Sequence, residues 1–215
     1  MKLLLIRHGE MAGDAFVCPA SPVTGCLSPT GIAQARAAQR ALRDVQIDLA
    51  FSSPYGRALQ TAEIVLADRN VPLSIFEFLK EWMPNPALDS LSDAEREHLH
   101  RLANEGYAEE TWKTDLGEGC YGMFDRICPP FLVELDRLGV HHRMGGYVIE
   151  DGAQNLSLAI FAHGGTLNTL LSFLLGVPPF PLGRFSFALT GAAIVQMVER
   201  KGIHYPQLIV PAACG

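Results

Sequence analysis

Four short clusters in this chain carry residues able to do chemistry. They are Arg7-His8-Gly9-Glu10, Ser52-Ser53-Pro54 with Arg57 about one helical turn later, Lys80-Glu81, and His163-Gly164-Gly165. The set suits phosphoryl transfer. A neutral imidazole can attack phosphorus in line and hold the phosphoryl group covalently. Arginine forks match phosphate oxygens and neutralise charge in the transition state. A second histidine, protonated, can donate to the same oxygens. A carboxylic acid then protonates the leaving alkoxide and later activates water against the phosphohistidine. Surrounding cations disfavour an imidazolium at His8 and keep it available as the nucleophile. The scheme requires neither a metal nor another cofactor.

These clusters gain meaning from the elements that precede them. Lys2–Ile6, Asp48–Ser52, Leu73–Leu79 and Leu158–Ala162 read as strands, the first and last buried by their continuous apolar composition. Each cluster falls at the C-terminal end of one strand, where sites form in open α/β sheets. Helices are predicted between them. Ser28-Pro29 is an N-cap followed by proline, opening an Ala-rich helix to about Arg43. Others run from Pro54 to about Ala67 and from about Thr166 to Leu175, stopped by Gly176 and Pro178. Phe185–Val198 and His204–Ile209 read as closing strands, at least one of them antiparallel. The expected fold class is α/β, a doubly wound, mostly parallel sheet flanked by helices.

A single domain over residues 1–215 is expected, with a helical cap or insertion at about 83–138. Within it, Ser92-Asp93-Ala94-Glu95 is a capping-box pattern that starts a helix to about Asn104. A further helix, from about Tyr121 to Leu138, is expected to break or restart at Pro129-Pro130. Arg96, Arg101, Lys113 and Arg126 read individually as solvated charges on helix faces.

Composition narrows the classes. The chain is 48% hydrophobic and 19% charged, enough apolar residue to build a core. Its net charge is −6 and no Lys/Arg run interleaves with aromatics, so nucleic acid is not an expected partner. The apolar stretch Leu156–Val177 is interrupted by His163, Gly164, Gly165, Thr166 and Asn168. It therefore reads as two buried elements joined by a turn rather than a membrane span. Five cysteines in no C-x-x-C pair suit free thiols, and a cytoplasmic location is expected. His141-His142 and His98-x-His100 lack matching ligands nearby, so they read as solvated and no metal site is expected.

The motifs resemble those of a known family. Leu5-Ile6-Arg7-His8-Gly9-Glu10 resembles the opening motif of the histidine phosphatase superfamily, also called phosphoglycerate mutase-like. Leu27-Ser28-Pro29-Thr30-Gly31-Ile32-Ala33-Gln34-Ala35, then Ser52-Ser53-Pro54 with Arg57-Ala58 and Gln60-Thr61-Ala62, then His163-Gly164-Gly165 follow in the family's order. The resemblance implies that His8 is phosphorylated. It also implies that Arg7, Arg57, His163 and Gly164 line the phosphate pocket and that Glu81 is the proton donor. The substrate would be a small phosphorylated metabolite, hydrolysed without a metal. Met11 and Asp14 depart from the pattern, standing where the family commonly has a hydroxyl residue and an asparagine. After Glu81, Trp82-Met83-Pro84-Asn85-Pro86 departs as well. Two rival readings stay open at this level: a phosphoglycerate mutase, and a catalytically weak domain that binds a phosphorylated ligand or a protein partner. The sequence leaves oligomeric state undetermined.

Overall fold

The computed structural model describes residues 1–13, 26–83, 86–105, 117–143, 145–181 and 183–209. Asp14, Pro84, Asn85 and Lys113, all named above, lie outside them. The described strands are β1 (Lys2–Arg7), β2 (Leu49–Ser52), β3 (Leu73–Ile75), β4 (Val140–Arg143), β5 (Gly146–Ile149), β6 (Ser157–Ala162), β7 (Ala192–Arg200) and β8 (Ile203–Ile209). The α-helices are α1 (Pro29–Ala41), α2 (Gly56–Leu66), α3 (Asp93–Glu105), α4 (Cys120–Arg137) and α5 (Gly164–Leu174). The strands form one sheet in the order β3-β2-β6-β1-β7-β8-β5-β4.

The α/β class holds, and the sheet divides into two halves. β3, β2, β6 and β1 pair in parallel. From β1 onward, β7, β8, β5 and β4 pair antiparallel. Strand alternation builds two cores. Leu3, Leu5, Leu158 and Ile160 face α4 and α5, packing with Met123, Ile127, Phe131, Leu167 and Leu170. Leu4, Ile6, Ala159 and Phe161 face the other way, onto Ala38 of α1 and Ala62 and Val65 of α2. Strands buried on both faces have no polar side, which explains their continuous apolar sequence.

Several expectations need correction. The third strand stops at Ile75, and Glu77–Leu79 forms a 3-10 turn instead of extended strand. Phe76 N donates the last ladder bond to Ser52 O, and the turn then buries Leu79 completely. α4 runs unbroken through Pro129-Pro130. Its buried stripe of Met123, Ile127, Phe131 and Leu135 holds the helix against the sheet while Pro129 faces solvent. Tertiary burial outweighs the lost backbone bonds there. Residues 185–191 are irregular, and the closing strand begins only at Ala192. β4 and β5 form a hairpin that the sequence reading missed.

Local signals elsewhere behave as expected. Ser28 caps α1 by accepting from Gly31 N at 3.0 Å, with Pro29 at the first position. Ser92 and Glu95 form the reciprocal capping box of α3. Gly176, at φ +67°, closes α5, and Val177 N donates back to Ser172 O as in a Schellman motif. Among the described residues no helix is long and apolar enough to cross a membrane.

Candidate active site

Strand register brings the clusters together. Ile6 of β1 and Ser52 of β2 both pair with Phe161 of β6, so three parallel strands end level. The next residues of β1 and β6 are Arg7 and Ala162, also paired, so the chain leaves them at His8 and His163 side by side. Their ring centroids lie 5.1 Å apart, and His8 is 7% exposed while His163 is fully buried. Ser53, which follows β2, is fully buried too.

Hydrogen bonds fix the protonation of both rings. The Nδ1 of His8 lies 2.7 Å from Gly9 O. A carbonyl only accepts, so Nδ1 carries the proton and Nε2 of the neutral ring keeps its lone pair. Burial, with Arg57 and Arg7 nearby, lowers the His8 pKa to about 4, although the Gly9 bond opposes the shift. In His163, Nδ1 accepts from Arg57 Nε at 3.1 Å. Its proton therefore sits on Nε2, which donates to Ser53 Oγ at 2.8 Å. Burial first, then Arg57, holds the His163 pKa well below the ordinary histidine range. The expected protonated second histidine is thus a neutral one here, because a guanidinium occupies its other nitrogen.

The arginines approach from two sides. Arg57, in the first turn of α2, is 7% exposed, and its guanidinium carbon lies 4.9 Å from the centre of the Tyr55 ring. Arg7 donates from Nη1 to Phe187 O at 2.7 Å, and its buried Nε has no hydrogen-bond partner. A buried, unpartnered donor is costly, so an acceptor is expected to meet it in the working state. A side chain at Gly164 would begin 3.6 Å from the Arg7 guanidinium carbon, so this position borders Arg7 closely.

Glu81 sits at the start of α5. Its Oε2 accepts from Gly165 N at 3.1 Å, and its Oε1 from Thr166 N at 3.2 Å and Trp82 N at 2.9 Å. A helix N-terminus favours a carboxylate in this way. Of the first three amides of α5, Gly164 N alone is not taken by Glu81. Thus Glu81 reaches the turn that follows His163 by leaving the sheet through the 3-10 turn, rather than by standing at a strand end.

Other residues shape the site without having been read as doing so. Thr61 Oγ1 accepts from Gly9 N at 3.0 Å and donates to Arg57 O at 2.7 Å, tying the nucleophile loop to α2. Glu10 N donates to Gln34 Oε1, Leu27 N donates to Gln60 Oε1, and Ser28 Oγ donates to Glu10 Oε1. Gly31 lets the loop approach: a Cβ there would lie 2.0 Å from Glu10 O. Repeated small and polar motif residues therefore hold the loop carrying His8. Met11 pairs with Leu27 in an isolated bridge.

Arg126 is not simply solvated. It forms a two-point ion pair with Glu118, at 2.6 and 2.8 Å, and donates to the carbonyls of Phe78, Lys80 and Glu81. His141 is also engaged, lying 2.5 Å from Asp136 and 3.0 Å from Glu150. Among the described residues no group of three or more His, Cys, Asp or Glu has metal-binding geometry.

Comparison with known proteins follows the same lines. The chain is 30% identical over 195 residues to an adenosylcobalamin/alpha-ribazole phosphatase of Salmonella typhimurium, covering 86% of this chain and 85% of that protein. It is 30% identical over 141 residues to a 2,3-bisphosphoglycerate-dependent phosphoglycerate mutase of Nautilia profundicola, covering 63% and 56%. In fold it is similar to the alpha-ribazole phosphatase from Shigella flexneri, with a TM-score of 0.69 at 23% identity over 100% of this chain and 98% of that one. The model of the histidine phosphatase superfamily (branch 1) matches residues 3–204, and the chain belongs to that superfamily.

Proposed function

We propose that this enzyme, a phosphatase of small phosphorylated molecules, works by phosphorylating and dephosphorylating His8 Nε2. The observation that carries the reading is the Nδ1–Gly9 bond, which leaves Nε2 as a lone pair in a buried pocket beside two guanidiniums. Arg7, through its unpartnered Nε, and Arg57 bind the phosphoryl oxygens. The Gly164 amide adds a donor, and His163 redirects its Nε2 proton from Ser53 to the phosphoryl group. As Nε2 bonds to phosphorus, the ester P–O bond breaks and Glu81, which enters this step as the carboxylic acid, protonates the leaving oxygen and becomes the carboxylate. Glu81 then takes a proton from water as that water attacks the phosphohistidine, releasing phosphate and restoring both residues.

The whole chain acts as one domain in this reading, in the cytoplasm. Part of the stretch at about 83–138 caps the site while α4 packs on the sheet. The relatives named as alpha-ribazole phosphatases direct the substrate test to alpha-ribazole phosphate, a nucleotide-like monoester. Phosphate release from p-nitrophenyl phosphate and from alpha-ribazole phosphate, in excess EDTA, is the assay for wild type and His8→Ala. Turnover by wild type and none by the folded variant is expected. Equal turnover by both would remove His8 from the mechanism.

A further inference from the structure

We infer that Arg126, on α4, is a positioning residue that holds Glu81 in proton-transfer geometry; the inference rests on the reading of Glu81 as proton donor. The stretch from Phe78 to Trp82 lies beyond the last ladder bond of β3, so no neighbouring strand fixes it. Arg126 supplies what the sheet does not. Its Nη1 donates to Phe78 O at 3.0 Å and Lys80 O at 3.2 Å, and its Nη2 donates to Glu81 O at 3.3 Å. Three carbonyls therefore converge on one guanidinium.

That guanidinium is itself held. Glu118 takes it by Nε and Nη2 together, and both side chains are largely buried, 18% and 11% exposed. Glu118 is fastened to the far side of the same stretch. Its carbonyl accepts from Trp82 Nε1 at 2.6 Å, and its amide donates to Met83 O at 2.9 Å. The clamp thus grips the backbone on both sides of Glu81. From α5, Thr166 Oγ1 donates to Lys80 O at 2.7 Å, so the clamp sets the Glu81 carboxylate against the amides of Gly165 and Thr166. A planar fork with several fixed donors makes this possible, whereas a lysine ammonium would be a point charge on a flexible stem.

Leaving-group dependence separates positioning from general support of the fold. An alkoxide needs a proton as it departs, while p-nitrophenolate leaves without one, so a misplaced donor harms alkyl phosphates selectively. The quantity to measure is kcat/KM for p-nitrophenyl phosphate and for an alkyl monoester such as glycerol 2-phosphate. Wild type, Glu81→Gln and Arg126→Lys are compared, with vanadate inhibition reporting the phosphate pocket. Glu81→Gln should lose about 10²-fold or more on the alkyl ester and much less on the aryl ester. Arg126→Lys should show the same selective loss at roughly tenfold, because small misplacement of a catalytic group is costly. Vanadate should still inhibit Arg126→Lys, because Arg7, Arg57 and His163 of the phosphate pocket are untouched in it.

Equal losses on both esters in Arg126→Lys, or no loss on either, would overturn the positioning role. Absence of a selective effect in Glu81→Gln would overturn the donor reading and the Arg126 inference with it. If Arg126→Lys fails to fold, Glu118→Gln serves in its place. It keeps an acceptor for the guanidinium and should give a smaller loss with the same selectivity; an unselective result there counts equally against the inference.

Discussion

Exchanging His8 for asparagine should change how the stability of the fold depends on pH. His8 has an ordinary histidine pKa of 6.5 in the unfolded chain, and in the native site the value falls to about 4. Burial is the leading cause, Gly9 opposes it, and Arg57 and Arg7 add to it. Between those two pH values the unfolded chain binds a proton that the native state refuses, so acidification favours unfolding. The contribution is fully present above the unfolded value and fades as pH falls towards 4. By linkage it amounts to about 3 kcal/mol on going from pH 7 to pH 4. His163, also depressed, is present in both proteins, so its protonation largely cancels in the comparison. Urea unfolding followed by tryptophan fluorescence, in phosphate-free buffer, measures the difference. Wild type should lose about 3 kcal/mol more than His8→Asn over that range. A constant gap between the two proteins from pH 7 to pH 4 would refute the claim that His8 is buried and neutral.

Three further outcomes follow from contacts around the site. Thr61→Val keeps the shape but removes the acceptor of Gly9 N, and leaves that amide orphaned; urea denaturation should show a loss of about 1–3 kcal/mol. Gly31→Ala forces a Cβ to within 2.0 Å of Glu10 O. The loop must shift, so kcat/KM should fall well before secondary structure, read by circular dichroism, changes; unaltered kinetics would contradict the packing. His141, between Asp136 and Glu150, has its pKa raised, first by the Asp136 bond and then by the Glu150 bond. Its stabilisation should be complete below pH 6.5 and disappear as pH rises through the raised native value, so wild type and His141→Gln should converge in alkaline buffer.

The parallel half of the sheet was legible because burial on both faces writes unbroken apolar runs, as in Leu3–Ile6 and Leu158–Ala162. Their level ends then followed from the way α/β folds place sites. The antiparallel edge was harder to see. Val-His-His-Arg in β4 and Gly-Tyr-Val-Ile in β5 are four residues each, the first mostly polar and the second mostly apolar, so neither carries a periodic signal. Pro129-Pro130 argued for a break because local rules cannot weigh Phe131 and Leu135, which are buried against distant strands. Within the site, types and order pointed to His8, His163, Arg7 and Arg57. The neutral state of His163 was hidden, since it depends on Arg57 donating across 106 residues of sequence separation. Arg126 was invisible for a similar reason. A charge on a helix face looks the same whether it meets water or three carbonyls of another segment.

The account stands most directly on the identity of the phosphorylated atom. Enzyme mixed with p-nitrophenyl phosphate, whose leaving group needs no proton, and quenched in base within a turnover, where phosphohistidine survives, can be digested and read by tandem mass spectrometry. The account predicts one phosphoryl group on His8, at Nε2, absent from His8→Ala and increased in Glu81→Gln, in which water is no longer activated. A phosphoryl group on any other residue, or turnover with His8 never modified, would contradict it.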